Sequence, residues 1–289
     1  MKFILRIFVE NLSMKTVKTR ILISFLLIFS AINAQEKLIG NKDVTLENRD
    51  LSEFTKIEVI DDVTVLLVYN DQQSVLVETD SNIQNAVITE INNGSLVIKT
   101  SAKIVRTKEL IVHVNVNSKL DEIYAYNKAK VKSNNSLRID SITLNSYDNS
   151  DFNLKLSSKI VHINAKKTSN LEFEILSDET YITSEESSDL KGIIDTKYMV
   201  IKTLDKSSIN LIGNTTSFEL ETLHNSAFKG KDFKSVIAEV NTSNNSIAYI
   251  NATETVDLSI KNSGEVYLFS NPKITLIEFF DKASLLKRQ

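Results

Sequence analysis

The stretch "DNSDFNLKL", residues 148–156, is followed shortly by "KTSNLEFEI", residues 167–175. Both read as a polar bend, a serine, one spacer and then large apolar residues alternating with polar ones, and Ser150 and Ser169 stand 19 positions apart. Following the interval outward gives the anchors Ala129, Ser150, Ser169, Ser188, Ser207, Ser226, Asn245, Gly264 and Ala283, spaced by 21 and thereafter by 19. Two positions after each anchor stand Val131, Phe152, Leu171, Leu190, Ile209, Phe228, Ile247, Val266 and Leu285, all apolar. Six positions before them stand Ile123, Leu144, Ile163, Ile182, Ile201, Leu220, Glu239, Leu258 and Ile277. Glu239 breaks that column, and its neighbours Ala238 and Val240 mark a one-residue slip.

A 19-residue period is too short for paired helices and fits one coil of a β-solenoid, in which two short strands of period-two alternation are joined by two bends. Equivalent residues then stack at the spacing of neighbouring strands, roughly 4.8 Å, so nine coils make a rod on the order of 40 Å long. The expected fold class is all-β: a right-handed parallel β-helix, or solenoid, with coils of about 19 residues. The column from Val131 to Leu285 is its internal ladder, and the anchor sits at an inward bend with room for Ser, Ala or Gly. A buried serine there needs a partner, since an unpaired buried hydroxyl costs roughly 1–3 kcal/mol. Asn149, Asn170 and Asp189 are expected to supply the left-handed backbone of the turns.

Upstream, residues 44–116 also read as β. "KIEVIDDVTVLLVY", "SVLVET", "SLVIKT" and "LIVHVNV" alternate between turn clusters such as "INNGS", and "DSNIQNAVITEI" is the best short helix candidate. The chain of 289 residues has one Pro and six Gly, so its bends rest largely on Asn, Asp and Ser side chains. It has no Cys, which excludes disulfides and thiolate metal sites, and its net charge of -3 argues against a nucleic-acid binder built on bulk positive charge.

The first residues have the layout of a secretory leader. From Met14, which competes with Met1 as the start, "MKTVKTRILISFLLIFSAINAQ" has basic residues, an apolar run too short for a stable bilayer span, and Ala34 before Gln35. The expected organisation is a signal peptide over 1–34, a β-rich head over 35–118 continuous with the solenoid, and repeats over 119–289. The last stretch, "KITLIEFFDKASLLKRQ", is expected to fold over the end as a cap, because an open solenoid end templates association. The mature chain is expected to be exported to the periplasm, the outer-membrane surface or the medium.

Residues 49–100, with Arg49, Leu51 and Phe54 before the strand at Ile57–Val59, then "VLVETDSNI" and "NGSLVI", followed by "VHVNVNSKLDEI" leading into the repeats, resemble the auto-transporter adhesin, head GIN domain family. The resemblance covers roughly residues 40–250. It implies a secreted or cell-envelope β-helical protein of a kind common in the Bacteroidetes, with no established catalytic activity. Where members often have Gly-rich bends before the repeats, this chain has "AYNKAKVKSNN".

No motif names a reaction. His113 and His162 fall at outward strand phases and His224 in a bend, none with a second ligand at metal spacing. There is no G-x-S-x-G elbow, and the serine column is explained by sterics rather than nucleophilicity. Pectate-lyase-type β-helix enzymes cluster Asp, Lys and Arg on one outward sheet, whereas the outward positions Asn153, Glu172, Lys191, Asn210, Lys229, Ala248 and Tyr267 are mixed. Eight acids lie between Glu172 and Asp195, and Glu172, Glu174, Glu185, Glu186 and Asp189 form the candidate ligand patch, against the plainer reading of a solvated face. The expectation is a non-catalytic exported module, structural or adhesin-like, without cofactor or metal, whose partner is a glycan or a surface protein. The alternative is a polysaccharide-binding or polysaccharide-processing β-helix.

Overall fold

Six long strands carry the repeat: Asp151–Ala165, Asn170–Ser184, Asp189–Thr203, Ser208–Thr222, Ala227–Thr242 and Ile247–Ile260. They belong to a computed structural model that describes residues 37–289; the expected leader lies outside the described residues. Each strand is most of one coil, pairing in parallel with the next. In the first, Phe152, Leu154 and Leu156 face inward, the chain turns a smooth corner at Ser157–Lys159, and Val161, Ile163 and Ala165 face inward from the opposite side. The period-two pattern therefore builds two facing sheets with one apolar core between them. The only helix among the described residues is the 3-10 turn Gln84–Ala86, where the short helix candidate otherwise becomes the strand Val87–Asn92.

The other corner is a tight turn. The two residues before each anchor are both left-handed: Asp148 (φ 54) and Asn149 (φ 66), Lys167 and Thr168 (φ 55 each), Glu186 (φ 54) and Ser187 (φ 67). The anchor N–H then donates to the carbonyl three residues back, as from Ser150 to Tyr147 at 3.1 Å, which is the hydrogen bond of a type I′ turn. A left-handed backbone costs a residue with a side chain roughly 1–2 kcal/mol. The cost is offset between coils, because each turn donates to the next: Asn149 N–H to Lys167 O at 3.3 Å, Thr168 N–H to Glu186 O at 3.2 Å, and Ser187 N–H to Asp205 O at 3.1 Å. Asn170 and Asp189 do not share this role. They are the first residues of extended strands, one position past the anchor.

The anchors Ser150, Ser169, Ser188, Ser207 and Ser226 are buried. Their hydroxyls accept the turn N–H from Tyr147, Leu204 and Leu223 at 3.0, 3.1 and 3.0 Å in three of these turns, and Ser207 and Ser226 donate to carbonyls of the preceding coil at 2.7 and 2.8 Å. A second small-residue column, four positions before the anchors, completes the set: Ser146–Ser150, Ser184–Ser188 and Thr203–Ser207 pair hydroxyl to hydroxyl at 2.7, 2.7 and 2.6 Å.

The internal ladder runs Val131, Phe152, Leu171, Leu190, Ile209, Phe228, Ala248, Val266 and Leu285. The expected rung Ile247 is corrected to Ala248, and the expected anchor Asn245 to the buried Ser246; Ile247 pairs with Ala227 and Glu265 at a half-buried position, and Ala248 faces inward rather than out. The cause is an insertion and a deletion that cancel. Pairing steps from Asn210↔Lys229 to Ile212↔Asp232, which lengthens the coil between Ser226 and Ser246 to 20 residues, and a later shift shortens the coil between Ser246 and Gly264 to 18. Val240, not Glu239, accordingly pairs with Leu220. The bulge at Gly230 turns Phe233 inward against Phe218 and Phe228, with centroids 5.5 and 6.5 Å away, over Gly213. At Gly213 (φ 127) a Cβ would lie 2.1 Å from the Ile194 carbonyl, so only glycine fits.

The amino-terminal end is laid down out of order. Lys56–Val59 and Thr64–Tyr69 pair in parallel with Glu122–Ala125 and Lys130–Ser133, so the sheets run without a break across residue 118. On their other side lie Ser95–Thr100 and Leu110–Val116, which come later in the sequence. Antiparallel strands then close this end: Val87–Asn92 on Ser95–Thr100, Ser74–Asp80 on Leu110–Val116, and Val44–Arg49 on Ser74–Asp80.

At the other end the expected cap is corrected. Lys273–Phe279 and Ser284–Lys287 do not fold over the core but stack as one more rung on Ile247–Ile260 and Glu265–Phe269. Ile274, Leu276 and Phe279 continue the core columns of Val256, Leu258 and Ile260, yet remain 44%, 49% and 46% exposed because no further rung covers them.

Candidate binding face

Because the inward positions serve packing, any recognition lies on the two outer faces and the turns. The acidic cluster read from the sequence is divided between them. Glu172 and Glu174 stand on one outer face, 3.3 Å from Lys191 and 2.6 Å from Lys155, beside a shallow groove of about 390 Å³ flanked by Ile193 and Ile212. Glu185 lies in the tight turn, 2.9 Å from Lys166; Glu186 occupies a left-handed turn position, and Asp189 opens the next strand. Stacking by 19 thus interleaves these acids with lysines and brings the five into no common site. Among the described residues, no three His, Asp or Glu side chains converge as metal ligands.

Of the histidines, His113 lies 2.7 Å from Glu78 on the antiparallel neighbouring strand, a pairing invisible in a sequence where the two stand 35 residues apart. His224 is 3.3 Å from Asp205. His162 stacks on Tyr181 with centroids 4.8 Å apart.

His162 belongs to a group that single-strand reading missed. On the outer face of the strands that precede the tight turn, Tyr147 stacks on Tyr126 at 5.3 Å and Tyr126 on Tyr124 at 6.1 Å. Tyr124 donates its hydroxyl to Glu122 at 2.6 Å; Glu122 also accepts from Asn145 at 3.2 Å, and the Asn145 side chain from Asn164 at 3.0 Å. Two residues before Asn164 on the same strand face is His162, which leads to Tyr181 and then edge-on to Tyr198 at 6.0 Å. Tyr181 and Tyr198 donate to Glu179 and Glu219 at 2.6 and 2.5 Å. The signal was present as Tyr, His and Asn at outward phase, but only the stacking of coils makes them one band.

Its electrostatics follow from these bonds. The hydrogen bond to Glu122 pushes the Tyr124 phenol up to about 12, and that to Glu219 pushes Tyr198 up to about 12, so both remain hydroxyl donors. Tyr181 is raised likewise by Glu179. For Glu122, burial works to raise the pKa, but hydrogen bonds from Lys56, Tyr124 and Asn145 outweigh it and the carboxyl ends lowered. Elsewhere on the repeat's exterior, lysine–carboxylate pairs join neighbouring coils, such as Lys197–Asp178 at 2.7 Å and Lys202–Glu221 at 2.9 Å.

Comparisons with solved structures show the same fold. A "putative lipid binding protein" from Parabacteroides distasonis matches with a TM-score of 0.65 at 16% identity, over 88% of this chain and 100% of its own. A "putative adhesin" from Parabacteroides merdae matches with a TM-score of 0.64 at 17% identity, again over 88% and 100%. No curated protein sequence matches. No helix among the described residues is long and apolar enough to cross a membrane. The family model described as "Putative auto-transporter adhesin, head GIN domain" matches twice in succession, over residues 53–174 and 159–272, and the chain belongs to that family.

Proposed function

We propose that this chain works outside the cytoplasm as a non-catalytic, adhesin-like binding module of the cell envelope. The observation that carries the reading is the division of labour in the coils: inward residues stack, eight lysine–carboxylate pairs tie neighbouring coils together, and an outward band of tyrosine, histidine, asparagine and carboxylate runs across successive coils, open to contacts. Membership of a family described by adhesion and the adhesin named among structures of the same fold support it. So does the basic, apolar, small-residue leader before Gln35. The stacked coils suit presentation, since they set outward side chains from successive coils side by side along one face.

The test is retention. The exported protein, coupled to inert beads, is passed over surfaces coated with envelope extract, host-matrix proteins and glycans, with heat-unfolded protein as control. Saturable retention on at least one surface by the folded protein alone is expected. Equal retention of folded and unfolded protein, or none on any surface, overturns the proposal. Incubation with the retained glycan should release no reducing ends; release abolished by a single outward carboxylate-to-amide substitution assigns the chain to the polysaccharide-processing class instead.

A further inference from the structure

Resting on that reading, we infer that the outward band from Tyr147 to Glu219 is a binding site for an uncharged, polyhydroxylated ligand, a neutral glycan chain lying obliquely across the coils. The band is continuous through ring stacking, hydrogen bonds and shared strand faces: Tyr147, Tyr126 and Tyr124, then Glu122, Asn145 and Asn164, then His162, Tyr181 and Tyr198, ending at Glu219. It crosses six successive rungs, as the pairings Tyr124↔Asn145↔Asn164, His162↔Tyr181 and Glu179↔Tyr198, with Tyr198 bonded to Glu219 of the next coil, require. Five rung steps at the usual strand spacing make it about 24 Å long. That is the reach of an oligosaccharide segment rather than of a single small molecule.

Three properties select the ligand class. First, the band offers amphipathic rings with polar tips beside the Asn164 amide and carboxylates, with the buried Asn145 linking them from beneath, the combination that meets a ligand carrying both C–H faces and hydroxyls. Second, the end of the band from Tyr181 to Glu219 is negative: Glu122 pairs with Lys56 at 2.8 Å, but Glu179 and Glu219 are held by tyrosine hydroxyls rather than by lysines, so a sulfated or uronate-rich chain meets carboxylates without a lysine partner there. Third, no large exposed aliphatic side chain lies within the band, whereas a protein partner of comparable affinity needs a desolvated apolar anchor at the centre of its footprint. The exposed Leu176, Ile193 and Ile212 stand on the coil's other half, and the exposed Ile237 lies one rung beyond the end of the band. The tyrosines are also pre-ordered by stacking and by their carboxylates, so little side-chain freedom is lost when a ligand arrives.

The experiment is affinity electrophoresis of the exported protein through gels containing neutral polysaccharides, compared with sulfated and uronate-rich ones, for wild type, Tyr181→Ala, Asn164→Ala and, on the other outer face, Lys155→Ala. At least one neutral polysaccharide should retard the wild type. Tyr181→Ala and Asn164→Ala should weaken that retardation about tenfold each, as expected for central contact residues, while keeping the circular dichroism of the folded β-protein, and Lys155→Ala should be retarded, relative to its own mobility in a ligand-free gel, as much as wild type. Because Tyr181→Ala removes a stacking partner, Tyr198→Phe serves as a second variant that deletes only one hydroxyl and should also weaken binding. Retardation only by anionic polysaccharides, by none of the neutral ones, or equally for wild type and all band variants overturns the inference. Should that happen while the bead assay still shows saturable retention, the ligand and its site are wrong and the adhesin-like reading stands; retention nowhere sinks both.

Discussion

Removing the same atom from two equivalent serines should have opposite effects. In the turn at Ser188, the anchor hydroxyl lies 2.7 Å from that of Ser184 and donates to the Ala165 carbonyl at 3.3 Å. Ser188→Ala leaves the Ser184 hydroxyl, which is 0% exposed, with no partner, and an orphaned buried hydroxyl costs roughly 1–3 kcal/mol. One coil earlier the position four before the anchor is Ala165 rather than a hydroxyl residue, and the Ser169 hydroxyl is buried without any partner. Ser169→Ala removes a group that is already desolvated and unsatisfied, so it should be neutral or stabilise by up to about 1–2 kcal/mol. Ala165→Ser supplies the missing partner and should stabilise by about 1 kcal/mol, the usual net worth of one hydrogen bond. In that background Ser169→Ala should become destabilising, a change of sign that a double-mutant cycle reads directly. Urea unfolding measures the four variants and the wild type, comparing midpoints at constant slope so that a change in cooperativity of the stacked coils is not mistaken for one in stability. If Ser169→Ala destabilises as much as Ser188→Ala, the column is chosen for size and backbone geometry alone and the pairing argument fails.

Three further outcomes follow from the same geometry. Leu190 is 0% exposed on the ladder, so Leu190→Asp should cost at least about 3 kcal/mol by burying an unpaired charge, and a mutant of unchanged urea midpoint refutes the ladder. Thr168 is β-branched at φ 55 and exposed; Thr168→Asn, which tolerates that backbone, should raise stability by about 1 kcal/mol, checked by the same unfolding curves. The phenols of Tyr124 and Tyr198, each pushed up to about 12, favour the folded state below the ordinary tyrosine range, and that contribution is lost as pH rises from about 10 through 12. Ultraviolet difference titration should show at least two late-ionising tyrosines, Tyr124 and Tyr198 among the last, and Glu219→Gln should return Tyr198 toward 10; a single normal titration step contradicts the assigned hydrogen bonds.

The coil was legible because its signals are local and repeated. Alternation of Phe152, Leu154 and Leu156 with polar residues specifies a strand with one buried face, and repetition every 19 residues specifies what lies on top of it. The turn was half legible: smallness of the anchor showed at once, but the left-handed pair precedes it, and residues as unlike as Lys167 and Thr168 adopt that backbone because stacked turns bond one another. The slip at Gly230 was visible only as the misfit of Glu239, since the compensating deletion restores the spacing by Gly264.

By itself, then, the amino-acid order determined the all-β class, the coil length and most of the ladder. Only the tertiary structure decided which outward residues are neighbours. The pairing of His113 with Glu78, the folding of 95–116 outside 56–69, the dispersal of the acidic cluster among lysines and the joining of Tyr124, Asn164, Tyr181 and Tyr198 into one band all depend on register and rung order. The physical reason is that alternation is a property of one strand, felt over a few residues, whereas a surface is assembled across strands whose contacts join distant parts of the chain.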